Sequence, residues 1–182
     1  NFSEKVRYVF EPSTSFTKAR YRGAQAAKGD ILLYLDDDVI VNSGTLKEVV
    51  RIFSKHSKCA VAGGKILPSY EQSPPSWVLD LQKKFNGFSL YDCGNEVKKV
   101  DSVPGPIMAI SKKVFFEVGG FPPDTIGVET NSEKKTFKKL YVGPGDYGLC
   151  LLCRKAGYEV IYSPAISVYH SVPPFRLTKE FW

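Results

Sequence analysis

An apolar run that ends abruptly in three carboxylates constrains this chain more than any other stretch. It reads Ile31-Leu32-Leu33-Tyr34-Leu35, followed at once by Asp36-Asp37-Asp38. The run is short and β-prone, and Gly29-Asp30 precedes it, so a buried strand is expected. Side chains alternate along a strand, which would send Asp36 and Asp38 to one face and Asp37 to the other. Neighbouring carboxylates repel, and they stay ionised only beside a cation or with one of them protonated. Mg²⁺ and Mn²⁺ favour oxygen ligands and commonly join carboxylates to substrate phosphates. In open α/β sheets, ligands bind beyond the carboxyl ends of the strands, where these aspartates fall. Ile40 stands where an EF-hand loop requires an oxygen ligand, which removes that Ca²⁺ motif. Taken alone, an Asp-x-Asp is more often a solvated acidic turn, so the weight rests on what surrounds it.

A length of 182 residues fits one domain or part of one, with room for a sizeable core. The apolar share of 43% and charged share of 24% are those of a globular protein. No segment reaches the roughly 18 apolar residues of a membrane span, and no basic-apolar leader opens the chain. Asn1 opens it, and Tyr8-Val9-Phe10 follows almost at once, which reads as a start inside a larger domain. The net charge of +6 includes the pairs Lys98-Lys99, Lys112-Lys113, Lys134-Lys135 and Lys138-Lys139. Such pairs are usually solvated faces, yet a basic surface favours phosphorylated substrates or an anionic membrane. Basic and aromatic residues do not interleave in one stripe, and no nucleic-acid motif is present, so nucleic acid is excluded as a partner. Of the four cysteines, Cys150 and Cys153 form a lone C-x-x-C in an apolar helical pattern. A zinc site needs a second ligand pair, so core packing is expected, and the low cysteine count fits a reducing cytosol.

Taken in order, Arg7 to Phe10 reads as a short strand and Thr17 to Ala27 as a helix that Gly29 ends. A second helix is expected over Ser43 to Lys55, with Leu46, Val49, Val50 and Phe53 on one face. Cys59 to Gly64 reads as a buried strand, completing β-α-β-α-β and pointing to a parallel sheet. Pro68 to Trp77 is expected to be loop, and Trp77 to Phe88 a short amphipathic helix. A strand over Asn95 to Val100, a strand over Ile107 to Ile110 and a helix over Lys112 to Val118 follow. Pro122 to Lys139 is polar and aperiodic and reads as a mobile loop near the site. Asp146 to Ala156 is helical, Glu159 to Tyr162 and Ala165 to Tyr169 are strands separated by Ser163-Pro164, and Arg176 begins a further helix.

Several of these stretches resemble the family 2 glycosyltransferases. They are Ala19-Arg20-Tyr21-Arg22-Gly23, Ala27 to Leu32, Leu35 to Asp38, Met108-Ala109-Ile110 with Val114 to Phe121, Asp146 to Tyr158, Tyr162-Ser163-Pro164 and Val168-Tyr169-His170. They stand in the family's order over nearly the whole chain. Pro75-x-Trp77 and Pro174-Phe175-Arg176-Leu177-Thr178 resemble a polysaccharide-building branch. The resemblance implies an α/β GT-A fold, Rossmann-like, with a mostly parallel sheet flanked by helices and its N-terminal nucleotide-binding strand missing. One partial catalytic domain is implied, donor-side over 1–67 and acceptor-side over 68–182.

The resemblance also implies roles. Asp38, Asp36 and His170 would hold Mg²⁺ or Mn²⁺, which acts as a Lewis acid on the diphosphate leaving group. Arg20, Lys18, Asp36 and Asp37 would contact the nucleotide-diphospho-sugar donor, and Trp77 the acceptor. Asp146 would be the general base on the acceptor hydroxyl, in a hexosyltransferase-type, inverting reaction. A saccharide or lipid-linked acceptor, a cytoplasmic location and peripheral contact with the inner face of the cell membrane fit that reading. The chain also departs from the family pattern. Gly145 replaces a glutamate, Gly148 a second acid, and Tyr21 an asparagine. The competing readings are a sugar-1-phosphate nucleotidyltransferase, which needs a Gly-rich basic phosphate loop near its start, and a non-catalytic sugar- or partner-binding descendant.

Overall fold

A computed structural model describes the backbone at residues 6–84, 90–123, 127–131, 136–140 and 145–181, with side chains for all of these but 127–131 and 136–140. Helix α1 (Phe16–Ala26) starts at Ser15, whose hydroxyl accepts from the Lys18 N–H at 3.2 Å. That bond satisfies one of the donors every helix start leaves unpaired. The helix ends as the chain turns extended at Ala27. Gly29 has no left-handed backbone, so the expected glycine stop is not how α1 finishes. Strand β1 (Ile31–Leu35) follows, then β2 (Val39–Val41), α2 (Thr45–Lys55) and β3 (Cys59–Tyr70).

Next come α3 (Ser76–Lys84), β4 (Lys98–Lys99), β5 (Ile107–Ser111) and α4 (Lys112–Glu117), which Ser111 caps by accepting from the Val114 N–H at 3.4 Å. Strands β6 (Gly127–Asn131) and β7 (Thr136–Leu140) pair as an antiparallel hairpin within the stretch expected to be loop. A polar, charged composition hid the β pattern there. Helix α5 (Gly145–Lys155) ends at Gly157, whose φ of 88° suits a glycine at a helix end. Strand β8 (Glu159–Val172) and a 3₁₀ turn (Pro174–Leu177) complete the order, the turn standing where a helix from Arg176 was expected.

The main sheet has the order β1-β5-β3-β8-β2, with β4 also on β8. The expectation of a mostly parallel sheet is corrected: among the described pairings only β3 with β8 is parallel. Both β1 and β3 run opposite to β5, so they share one direction, and β8 runs with them. The β-α-β crossover read from the sequence is therefore real. The later strand β5 inserts between its two strands and reverses the hydrogen-bonding sense of both neighbours.

Alternation along β5 assigns the two faces. Met108 and Ile110 join Phe115, Leu149, Cys150 and Cys153 beneath α1, α4 and α5. Ile107 and Ala109 join Val49, Ile52, Ile161 and Ile166 beneath α2. Phe115 is fully buried, and truncation of such a ring to alanine costs about 3–5 kcal/mol.

Two further corrections bear on the site. Residues 6–10 have no strand partner among the described residues, and Tyr8 and Phe10 are exposed. A β-prone segment without a ladder stays irregular. In addition, β3 and β8 are longer than expected. β3 continues through Pro68 to Tyr70, where β8 lies on one side and β5 has ended on the other, an edge that tolerates a missing N–H. The two expected C-terminal strands are one. Gly64 pairs with Ser163 and Lys65 with Ser167, so Pro164, Ala165 and Ile166 bulge from β8. A Cβ at Gly64 would lie 1.8 Å from the Ile166 carbonyl oxygen, so no side chain fits beneath that bulge.

Candidate active site

Strand β1 ends at Leu35, and the three aspartates lie on the turn beyond it. Asp36 N–H donates to the Pro106 carbonyl at 3.4 Å, and Ser171 N–H donates to the Asp38 carbonyl at 2.9 Å. The turn is thus held between the start of β5 and the end of β8. Asp36 and Asp38 come together through this turn, and strand alternation is not the cause. Asp37 is exposed, whereas Asp36 and Asp38 are half-buried. His170, buried on β8 opposite Val39, completes a group with Asp36 and Asp38 whose ligand atoms lie within 4.8 Å of one another. Its Nε2 is 3.0 Å from Asp38 Oδ1. Burial raises the Asp36 carboxyl above the ordinary range; the Arg20 charge opposes this, and Asp38 and Asp146 add to it. Like-charged carboxylates at a half-buried turn are the setting a divalent cation relieves. Two carboxylate oxygens suit Mg²⁺ or Mn²⁺, and the imidazole nitrogen favours the transition metal of the two.

Arg20 stands between this group and the head of α5. Its Nη1 donates to Asp146 Oδ1 at 2.7 Å, and its Nη2 donates to Asp36 Oδ1 at 3.2 Å. The guanidinium carbon lies 3.7 Å from the centroid of the Phe16 ring, one turn earlier on α1, and 5.2 Å from that of Phe121. Residues four apart on a helix share a face, so Phe16 is the natural floor for Arg20. The Arg20 side chain is 10% exposed, and each of its carboxylate partners is 31% exposed. A planar fork between two carboxylates, with rings against it, is the geometry that arginine serves and lysine does not.

Asp146 opens α5, where the helix dipole favours an acid. It lines a cleft of about 380 Å³ with Tyr91, Ser102, Pro104 and Tyr147. A Cβ at Gly105 would fall 2.4 Å from Asp146 Oδ2, so the carboxylate occupies the space that a side chain at 105 would take. The two glycines that replace acids differ. A Cβ at Gly145 would meet nothing closer than 4.0 Å, whereas one at Gly148 would lie 2.7 Å from Pro122 Cγ. Gly148 is therefore accounted for by packing.

The remaining expected residues fall further out. Lys18 is exposed and lines a separate cleft of about 570 Å³ along α1 with Glu11, Ser13 and Arg22. Tyr21 packs against Phe115 and Phe116 at ring distances of 5.7 and 5.6 Å. Trp77, half-buried, packs with Tyr70 against a small cluster of Val78, Val172 and Leu177. One charged residue at the site was given no role in the sequence reading: Arg176, whose Nη1 lies 3.6 Å from Asp38 Oδ2. Its only signal was its place in the Pro174 to Thr178 segment.

Three comparisons bear on this arrangement. The chain is 21% identical, over its whole length, to the glucosyl-dolichyl phosphate glucuronosyltransferase of Haloferax volcanii, and it spans 58% of that protein. The crystal structure of GalNAc-T7 with UDP, GalNAc and Mn²⁺ superposes with a TM-score of 0.55. That match covers 87% of this chain and 30% of GalNAc-T7 at 18% identity, a likeness of fold: the mixed α/β GT-A architecture. A family model described as "Glycosyltransferase like family 2" matches residues 1–180. With that match over nearly its whole length, the chain belongs to the family 2-like glycosyltransferases.

Proposed function

We propose that the protein carrying this chain transfers a sugar from a nucleotide-diphospho-sugar to an acceptor hydroxyl, in building a polysaccharide or glycoconjugate. The observation that carries the reading is the Arg20 bridge. One guanidinium reaches both Asp36 of the carboxylate turn and Asp146 of α5, at 3.2 and 2.7 Å. The acids proposed for the donor side and the acceptor side are thus joined through one side chain, which supports their acting at a single carbon.

In this reading Asp36, Asp38 and His170 would hold Mn²⁺ or Mg²⁺, which would supply positive charge to a diphosphate leaving group. Asp36 and the exposed Asp37 face the nucleotide and its ribose, with the outer edge of Arg20 beside them. Asp146 accepts the proton of the acceptor hydroxyl. That oxygen then forms the new bond to the anomeric carbon, and the bond to the diphosphate breaks with its electrons passing to the leaving group. Attack from the face opposite the leaving group inverts the anomeric centre. Arg20 and Gly105 aim the Asp146 carboxylate; Tyr91 and Tyr147 wall the cleft where the acceptor arrives.

The Haloferax relative is named for glucosyl-dolichyl phosphate, which supports a lipid-linked saccharide as acceptor here. Among the described residues no helix is long and apolar enough to cross a membrane. The net charge of +6 favours an anionic surface. We place the protein in the cytoplasm at the inner face of the cell membrane.

The test is Asp146→Asn in the full-length protein, with sugar transfer measured at saturating Mn²⁺. Turnover is expected to fall by roughly 10²–10⁴-fold, the usual contribution of a positioned base. Donor binding is expected to persist. Turnover near that of the wild type would remove Asp146 as the base.

A further inference from the structure

The C-terminal turn brings a second guanidinium to the carboxylate group, by a route unlike that of Arg20. Leu177 is buried with Val78 and Val172, and Tyr70 and Trp77 pack around them. This anchors the 3₁₀ turn Pro174–Leu177, closed by the Arg176 N–H donating to the Pro173 carbonyl at 3.0 Å. The anchored turn presents Arg176 to Asp38, whose other oxygen faces His170 at 3.0 Å. At 3.6 Å the Arg176 contact is an ion pair, longer than a good hydrogen bond. The Arg176 side chain is 31% exposed and that of Asp38 34%. The pair is half-buried, and a contact of that length is weak enough to exchange.

Asp38 cannot serve a divalent cation and a guanidinium equally. A dication between Asp36, Asp38 and His170 places like charge beside Arg176 and draws electron density from the carboxylate that holds it. An anion that arrives with the cation then competes with Asp38 for the guanidinium, and the donor's diphosphate is the anion this reading supplies. Arginine's fork matches phosphate oxygens in two bonds.

Resting on the sugar-transfer reading above, we infer that Arg176 couples metal loading to donor binding: it pairs with Asp38 before the dication enters and with the donor's diphosphate afterwards. The residue thus opposes the metal alone and supports the metal with nucleoside diphosphate.

That dual role gives two effects of opposite sign, which a merely structural arginine would not produce. Calorimetric titration of the full-length protein with Mn²⁺ alone is expected to show R176Q binding up to about 5-fold more tightly than wild type, the size of an exposed ion pair removed. Titration with UDP, and separately GDP, at saturating Mn²⁺ is expected to show R176Q binding whichever nucleotide the wild type takes at least roughly 10-fold more weakly. R176K, which keeps the charge and loses the fork, is expected to match the wild type for Mn²⁺ and to bind the nucleotide more weakly by a smaller factor. It carries the nucleotide arm of the test if R176Q does not fold. Tighter Mn²⁺ with weaker nucleotide in R176Q supports the coupling; any other combination overturns it. D38N separates the two levels. Wild-type Mn²⁺ affinity in D38N would sink the metal site itself, whereas lost Mn²⁺ binding in D38N with both affinities unchanged in R176Q would sink only the coupling.

Discussion

The wall formed by α1 and α5 and the turn that follows β8 each deliver an arginine to one carboxylate group, and they hold it differently. Arg20 is 10% exposed, bonded at 2.7 and 3.2 Å to two acids, with a phenylalanine ring 3.7 Å from its guanidinium carbon. Arg176 is 31% exposed and 3.6 Å from its acid. Both are Arg–Asp pairs, yet burial and the length of the contact make one a fixture and the other an exchangeable contact. A buried charge network loses heavily when one member goes, because its partners are left desolvated and unpaired. A half-buried pair at ion-pair distance loses less. Position in the fold, more than residue type, therefore decides which arginine can seat the proposed base and which one is available to the proposed donor.

The largest expected effect tests how rigid the α1–α5 wall is. Burial pushes the Cys150 thiol up to about 11 and the Cys153 thiol to about 12, both on the buried face of α5 in the cluster that backs α1. A raised pKa means less thiolate at neutral pH, so alkylation at pH 7 is expected to be at least roughly 100-fold slower than for free cysteine. The half-buried Cys93 serves as the faster internal control. Equal rates at all sites, read by mass spectrometry, would break the contrast between a fixed wall and a yielding turn.

A second effect concerns how Asp146 is seated. Gly105 has no left-handed φ, so alanine suits its backbone, but the new Cβ would meet Asp146 Oδ2 at 2.4 Å. Displacing a catalytic group by about 1 Å costs on the order of 100-fold. Gly105→Ala is expected to lower kcat by about that factor while Mn²⁺ and nucleotide affinities stay as in the wild type. Unchanged kcat would show that the base tolerates movement.

The smallest effect sharpens the comparison directly. Arg20→Ala removes charged hydrogen bonds to two carboxylates and is expected to destabilise by about 2 kcal/mol. Arg176→Gln, which loses the longer 3.6 Å contact to Asp38, is expected to cost about 1 kcal/mol or less. Chemical denaturation of both variants without metal measures the difference. Equal losses would remove the distinction between fixture and contact.

Much of the candidate site could be proposed from the sequence, for a physical reason. Asp36, Asp38 and Asp146 are acids beside apolar elements, and composition alone marks such residues as costly unless they are used. The elements around them carried strong local signals: Ser15 and Ser111 as helix caps, the apolar run of β1, and the glycine after α5. What could not be read was pairing between distant segments. Nothing in Ile107 to Ser111 says that it lies between β1 and β3, so the sheet was expected to be mostly parallel. Nor does Gly105 reveal by its spacing that it yields room to a carboxylate 41 positions later, at Asp146.

By itself the sequence determined the local elements and the chemistry they bear: which segments coil, where they are capped, and which residues can bind a cation or take a proton. Only the tertiary structure decided who meets whom. Arg20 and Asp146 stand 126 residues apart in the chain and 2.7 Å apart in space, and Arg176 reaches Asp38 because a buried leucine pins its turn. Local propensity acts over a few residues through the backbone, whereas these contacts come from the collapse of separate segments onto one sheet. The identities of the residues permit those contacts, but the packing selects them.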